Sequence, residues 1–199
     1  MLVCKQAPDF TAGAVLADGK IVNPYTLSEV LKDKYGLLFF YPLDFTFVCP
    51  TELIALDKRM DEFKKRNVEV IGVSIDSVYT HQAWRNTPVN KGGIGPVNYT
   101  LVGDIKHEIS KAYGIQHPEE GISLRAAFLI DKCGKVRSQL VNDAPIGRNI
   151  DELLRLVDAL QFHETYGEVC PAGWQKGNKA FNASAEGVAN YLTEHSEQL

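Results

Sequence analysis

Cysteine is scarce in this chain: four residues in 199, at positions 4, 49, 133 and 170. That is too sparse for a secreted disulfide scaffold, and a chain of this length buries enough core to need no covalent staples. No CxxC or CxxH spacing occurs, which argues against a structural zinc site and against a thiol–disulfide oxidoreductase of the CxxC kind. The five histidines, at 81, 107, 117, 163 and 195, are scattered without ligand spacing, so no metal is expected. Excess positive charge is missing too. Lys and Arg number 21 against 25 Asp and Glu, a net charge of −4. This leaves no electrostatic footprint for nucleic acid and no polybasic cluster for an anionic membrane. The longest apolar stretch, Leu37 to Leu43, is far too short to cross a bilayer. The first residues lack the apolar core of a secretory signal, so the expected location is cytoplasmic.

What remains is an ordinary globular composition, 45% hydrophobic and 23% charged, without repeats or low-complexity tracts. Asp18-Gly19 between two short apolar segments predicts a hairpin. Leu37 to Tyr41 is a continuous apolar run rich in aromatics, as a strand buried on both faces requires, and Pro42 ends it. From Pro50, the residues Leu53, Leu56, Met60 and Phe63 recur at helical spacing, with Glu52 in the first turn and Lys64 to Arg66 at the close. Val68 to Ile75 completes a βαβ unit. Residues 86–98, with three glycines and two prolines, read as a loop. A second hairpin turns at Asp131 to Gly134, and Ile150 to Leu160 is an amphipathic helix with Asn149 and Glu152 placed to cap it. Beyond it the apolar density falls, with one more short helix at 185–192. The expected division is an α/β domain over 1–164 and a C-terminal arm over 165–199.

Chemistry concentrates where the strand ending at Tyr41 meets the helix started by Pro50. Cys49 lies at that junction, where unsatisfied amide N–H groups and the positive end of the helix dipole favour a thiolate over a thiol. A free cysteine is only a few per cent ionised at neutral pH, so such a position separates a nucleophile from an inert side chain. Thr46, three residues earlier, either donates its hydroxyl to the sulfur or caps the turn locally. Pro42 removes a backbone donor and stiffens the approach.

The segment Pro42-Leu43-Asp44-Phe45-Thr46-Phe47-Val48-Cys49-Pro50 matches the PxxxTxxCP signature, and in this the chain resembles the peroxiredoxins. Ala83-Trp84-Arg85 and the stretch Gly167 to Trp174 around Cys170 resemble the typical two-cysteine subgroup, and the likeness runs over nearly the whole chain. The resemblance implies a thioredoxin-like α/β fold, a central mixed sheet flanked by helices with a C-terminal arm, and a thiol-dependent peroxidase. Cys49 would be the peroxidatic cysteine, oxidised to a sulfenic acid by hydrogen peroxide or an organic hydroperoxide. Cys170 would be the resolving cysteine, closing a disulfide across a subunit boundary. Arg125 looks like the family's active-site arginine, a permanent cation for the sulfur and the departing oxygen. Glu52 is then placed to orient that guanidinium, and is otherwise an acidic first-turn residue.

The same resemblance implies a homodimer, a pentamer of dimers, no bound cofactor, and recycling by an external dithiol reductant such as thioredoxin or a flavoprotein disulfide reductase. Cys4 and Cys133 are left without a role, as small apolar side chains. Gly92-Gly93-Ile94-Gly95 is similar to a loop of peroxide-sensitive members, whereas Tyr191-Leu192 only partly matches their C-terminal Tyr-Phe pair. Intermediate sensitivity to overoxidation is therefore expected. A rival reading is a redox-switched chaperone or signalling relay, which has no need of the combined Pro42, Thr46, Cys49 and Arg125 set.

Overall fold

The computed structural model describes residues 1–198. Its elements in chain order are β1 Thr11–Val15, β2 Ile21–Thr26, α1 Leu27–Val30, β3 Tyr35–Phe40, α2 Cys49–Asp57, α3 Met60–Lys65 and β4 Val68–Ser74. There follow α4 Val78–Asn86, β5 Thr100–Gly103, α5 Glu108–Ala112, β6 Arg125–Ile130, β7 Val136–Asn142, α6 Ile150–Tyr166 and α7 Ala185–His195. The seven strands form one mixed sheet in the order β2-β1-β5-β4-β3-β6-β7. β3, β4 and β5 run parallel, and β1/β2, β1/β5, β3/β6 and β6/β7 are antiparallel.

The apolar run at Leu37 to Phe40 becomes β3, near the centre of the sheet and buried along its whole length. Leu38 and Phe40 join Ile71, Val73, Val102, Ala126 and Phe128 in one core cluster. Leu37 and Phe39, on the opposite face, are equally buried. Phe40, Phe128 and Tyr113 pack as a trio with ring centroids 4.9–5.7 Å apart, each pair adding about 0.5–1.5 kcal/mol beyond its area. Both expected hairpins form, as β1/β2 and β6/β7.

The helix read from Pro50 to Arg66 divides in two. Lys58 N–H still bonds the Ile54 carbonyl four residues back, and at Arg59 the ladder shortens to three, N–H to the Leu56 carbonyl at 3.0 Å. The apolar face survives the break, since Leu53, Leu56, Met60 and Phe63 are all buried. Ser77 caps α4 by accepting from the Thr80 amide. The chain separates into two compact units, Met1–Ile150 and the residues from Asp151 on. In the second unit Phe162 packs on Trp174 and Phe181 on Tyr191, with centroids 4.9 and 4.8 Å apart. The segment before Cys170 forms a β-bridge between Val169 and Phe181.

Candidate active site

The chain leaves the sheet at Phe40, turns through a loop over 41–48, and enters α2 with Cys49 as its first residue. Pro42 is buried at the exit from the strand. Asp44 pins the loop from three sides. Its amide donates to Asp76 Oδ2 at 2.9 Å, and its carboxylate accepts from Tyr41 Oη at 2.8 Å and lies 2.7 Å from His81 Nδ1. His81 Nε2 faces the Val102 carbonyl at 3.1 Å. Burial raises the Asp44 carboxyl above its usual range, against the pull of His81. Burial works to lower His81, and the hydrogen bond and charge of Asp44 raise it by more. Neither residue stands out in the sequence, because the pairing spans 37 positions.

Thr46 adopts the local arrangement of the two open to it: its hydroxyl donates to the Leu43 carbonyl at 2.9 Å. The sulfur of Cys49 is fully buried and receives its hydrogen bond from Arg125 Nη1 at 3.4 Å. The same Nη1 donates to Glu52 Oε2 at 2.8 Å, one turn along α2 from the cysteine, and Nε donates to the Ala144 carbonyl. Glu52 therefore orients Arg125, and Arg125 reaches the sulfur from the first residue of β6. Cys49, Arg125 and Glu52 are brought together, with Pro42 and Thr46 shaping the turn that carries the cysteine.

Sequence reasoning missed Arg148. Its backbone N–H and Nε donate to Glu52 Oε1 at 2.7 and 2.9 Å, and Nη2 donates to Oε2 at 2.9 Å. Nη1 donates to the carbonyls of Phe40 and Ala126, both at 2.7 Å, and the guanidinium lies 3.4 Å over the Phe39 ring. Arg148 thus ties the end of β3 and the start of β6 to α2. Burial raises the Glu52 carboxyl, but the hydrogen bonds and charge of Arg148, with Arg125 behind it, leave it below the usual carboxylate range. Two buried guanidinium groups share one carboxylate, so a positive charge is left over beside the Cys49 sulfur.

The other cysteines lie elsewhere. Cys170 is partly buried, its thiol 3.6 Å from the Ala159 carbonyl. Burial raises its pKa, Arg155 lowers it, and Glu168 raises it again. Cys4 and Cys133 are both exposed, which corrects their reading as small apolar side chains: each sits in a turn at the surface. Among the described residues no group of three or more His, Cys, Asp or Glu could hold a metal ion, and no helix is long and apolar enough to cross a membrane.

Comparison with known proteins identifies the family. The AhpC/TSA family model matches residues 3–139, and the model for the C-terminal domain of 1-Cys peroxiredoxin matches residues 159–194. The chain is 54% identical to alkyl hydroperoxide reductase C of Buchnera aphidicola subsp. Acyrthosiphon pisum over 196 residues, 98% of this chain and 100% of that protein. It is 55% identical to alkyl hydroperoxide reductase C of Helicobacter pylori over the full length of both. Among solved structures, reduced 2-Cys peroxiredoxin of Plasmodium vivax superposes with a TM-score of 0.94 at 53% identity, covering 97% of this chain and 99% of that one.

Proposed function

Since this chain belongs to the AhpC/TSA family, the peroxiredoxins, its activity is that of a thiol peroxidase on a thioredoxin-like fold, and we propose that Cys49 is the peroxidatic residue and Cys170 the resolving one. One observation carries the assignment: Arg125 Nη1 donates to Cys49 Sγ and to Glu52 from a buried position. Arg125 and Arg148 bring two positive charges and Glu52 one negative charge. The balance closes when Cys49 is a thiolate, and an uncompensated buried charge is costly.

The thiolate attacks one peroxide oxygen and the O–O bond breaks. The second oxygen departs with the bonding pair, takes up a proton, and leaves as water or an alcohol. Arg125 stabilises the charge on that oxygen as it forms, at no cost of reorganisation. Thr46 and Pro42 hold the turn, and Glu52 with Arg148 holds Arg125. The product is a Cys49 sulfenic acid, which condenses with the Cys170 thiol of the partner subunit to give a disulfide and water. An external dithiol, thioredoxin or a flavoprotein disulfide reductase, returns both thiols by exchange, so no bound cofactor is needed. That cycle suits the reducing cytoplasm. The peroxidase work belongs to 1–164, and 165–199 acts as the arm that delivers Cys170.

Two surfaces support assembly. β7 is an edge strand of the sheet with Val141 exposed on it, and a second copy paired there by a two-fold axis would extend the sheet and give a homodimer. Phe47 is 92% exposed, and Phe45 and Tyr79 are open as well; covering such side chains favours association of dimers into the five-dimer ring. The test is peroxide consumption coupled to thioredoxin, with a non-reducing denaturing gel of the oxidised protein. A disulfide-linked dimer lost in Cys170→Ser is expected. An oxidised wild type that runs as a monomer would overturn the intersubunit disulfide.

A further inference from the structure

The two oxygens of a hydroperoxide have different fates at this site. The terminal oxygen bonds to the Cys49 sulfur as the O–O bond breaks. In an organic hydroperoxide the departing oxygen carries the alkyl group; it leaves with the bonding pair and takes up a proton to become the alcohol. Arg125 stabilises that departing oxygen, so the alkyl group lies on the side where the guanidinium is held. That side is the loop over 143–147: Arg125 Nε donates to the Ala144 carbonyl, while Nη1 donates to the Cys49 sulfur at 3.4 Å. Hydrogen peroxide has only a hydrogen in place of the alkyl group. An apolar contact there separates the two classes of substrate.

The loop is pinned from several directions. The Asn142 side-chain amide donates to the Ile146 carbonyl at 3.2 Å, and the Ile146 amide donates to the Asp143 carbonyl at 3.1 Å. Gly147 passes so close to the start of α2 that a Cβ there would lie 3.4 Å from Val48 Cγ1 and 3.9 Å from Glu52 Oε1. The Arg148 amide then donates to Glu52 Oε1 at 2.7 Å. Ile146 is therefore set between Ala144, which holds Arg125, and Gly147, which abuts the residue before Cys49. Its side chain is 57% exposed. Asp143, the charged residue of this loop, has its carboxylate turned back on the Ala144 amide at 2.7 Å. The side chains that follow it, Ala144, Pro145 and Ile146, are all apolar.

We propose that Ile146 is a specificity-determining residue of the peroxidase: its side chain covers the alkyl body of an organic hydroperoxide whose departing oxygen is held by Arg125. The inference rests on the peroxidatic role of Cys49. Arg125 acts on charge that develops with every hydroperoxide, whereas Ile146 acts on apolar surface that only the organic ones possess. Its contribution follows the area it removes from water, so it grows with the size of the alkyl group.

Ile146→Ala, Ile146→Leu and a control, Ile105→Ala, are compared with wild type. Ile105 is another exposed isoleucine, on the β5–α5 loop. Single-turnover oxidation of Cys49 by hydrogen peroxide, tert-butyl hydroperoxide and cumene hydroperoxide is followed by mass spectrometry of quenched protein. Each variant is read as the ratio of its organic to its hydrogen peroxide rate constant, which cancels differences in active fraction. The cumene hydroperoxide ratio should fall about three- to tenfold in Ile146→Ala, the size of a partly covered apolar contact, and the tert-butyl ratio by less. Ile146→Leu, of equal volume, should stay within about twofold of wild type, and Ile105→Ala should leave both ratios in place. A ratio that is unchanged or raised in Ile146→Ala, or that falls equally in Ile105→Ala, overturns the proposal. A wild type that no hydroperoxide oxidises at Cys49 overturns the underlying assignment instead, so the two failures are distinct.

Discussion

Cys49 and Cys170 are each followed by proline, yet they sit in opposite surroundings. Cys49 opens a nine-residue helix, is fully buried, and faces a guanidinium held by a carboxylate that a second arginine also grips. Cys170 lies outside regular structure, partly exposed, with its thiol directed at a single backbone carbonyl. The ion pairs nearby follow the same contrast. Arg125 and Glu52 leave 4% and 2% of their side chains exposed, whereas Arg155 and Glu152 leave 26% and 38%. A nucleophile that must be activated before substrate arrives needs a preorganised field. A thiol that must travel to its partner is better served by few attachments.

Replacing the cysteines gives the largest expected separation. Cys49→Ser should lower thioredoxin-coupled peroxide consumption to the background rate, because the sulfur that accepts the Arg125 hydrogen bond is lost. Cys170→Ser should still consume one equivalent of peroxide and then stop, a burst without turnover. Equal and complete loss of the burst in both variants would erase the assigned difference in role.

Breaking the buried cluster comes next. Glu52→Gln leaves two buried guanidinium groups without the carboxylate they share, a loss of about 3–5 kcal/mol in unfolding free energy. Denaturant titration measures it, and a loss below about 1 kcal/mol would place this pair with ordinary surface pairs. The pH dependence has a definite sign. The Glu52 carboxyl is held below its unfolded value, so its stabilisation is complete above about pH 4.3 and disappears as pH falls through the lower folded value. The acid limb of the wild-type stability curve should be shallower in Glu52→Gln.

Cys170, proposed as the resolving thiol, supplies a kinetic contrast. Burial holds the Cys170 pKa above its ordinary value, so at neutral pH the thiol form dominates. Alkylation of Cys170 by iodoacetamide should therefore rise with each pH unit, by up to about tenfold, with no plateau before the ordinary cysteine pKa of about 8.5. A plateau near neutrality, followed by peptide mapping, would show an activated thiol and remove the asymmetry between the two cysteines.

Much of this arrangement was legible in sequence, and the failures share a cause. β3 and the α2–α3 face were readable because burial writes a local pattern, a continuous apolar run or a helical repeat. Cys49 was readable because the Pro50 that starts its helix is adjacent. α4 was missed: its buried side is His81, Trp84 and Arg85, which carries no apolar periodicity. Arg148 was missed because nothing near it in sequence marks it, and Glu152, four residues on, reads as a helix cap. Instead Glu152 takes Arg155, and Arg148 reaches Glu52 across 96 positions. Side chains that join distant elements leave no local signature.

The smallest effect tests the exposed side of the comparison. Arg155 donates to Glu152 from Nε and Nη2 and to the Trp174 carbonyl at 2.9 Å, and its charge lowers the Cys170 pKa. Arg155→Ala breaks a partly exposed pair, which costs about 0–1 kcal/mol, so the denaturation midpoint should scarcely move. Its charge acts on the thiolate all the same. Without it the Cys170 pKa rises further, and alkylation at neutral pH should slow while the burst at Cys49 is unchanged. Arg155→Lys keeps the charge and should restore most of the alkylation rate, an outcome that a purely structural role for Arg155 would not produce. If alkylation of the alanine variant matched wild type at every pH, the Cys170 environment would be set by burial alone, and the arm would differ from the Cys49 site in kind: one site governed by charge, the other by access.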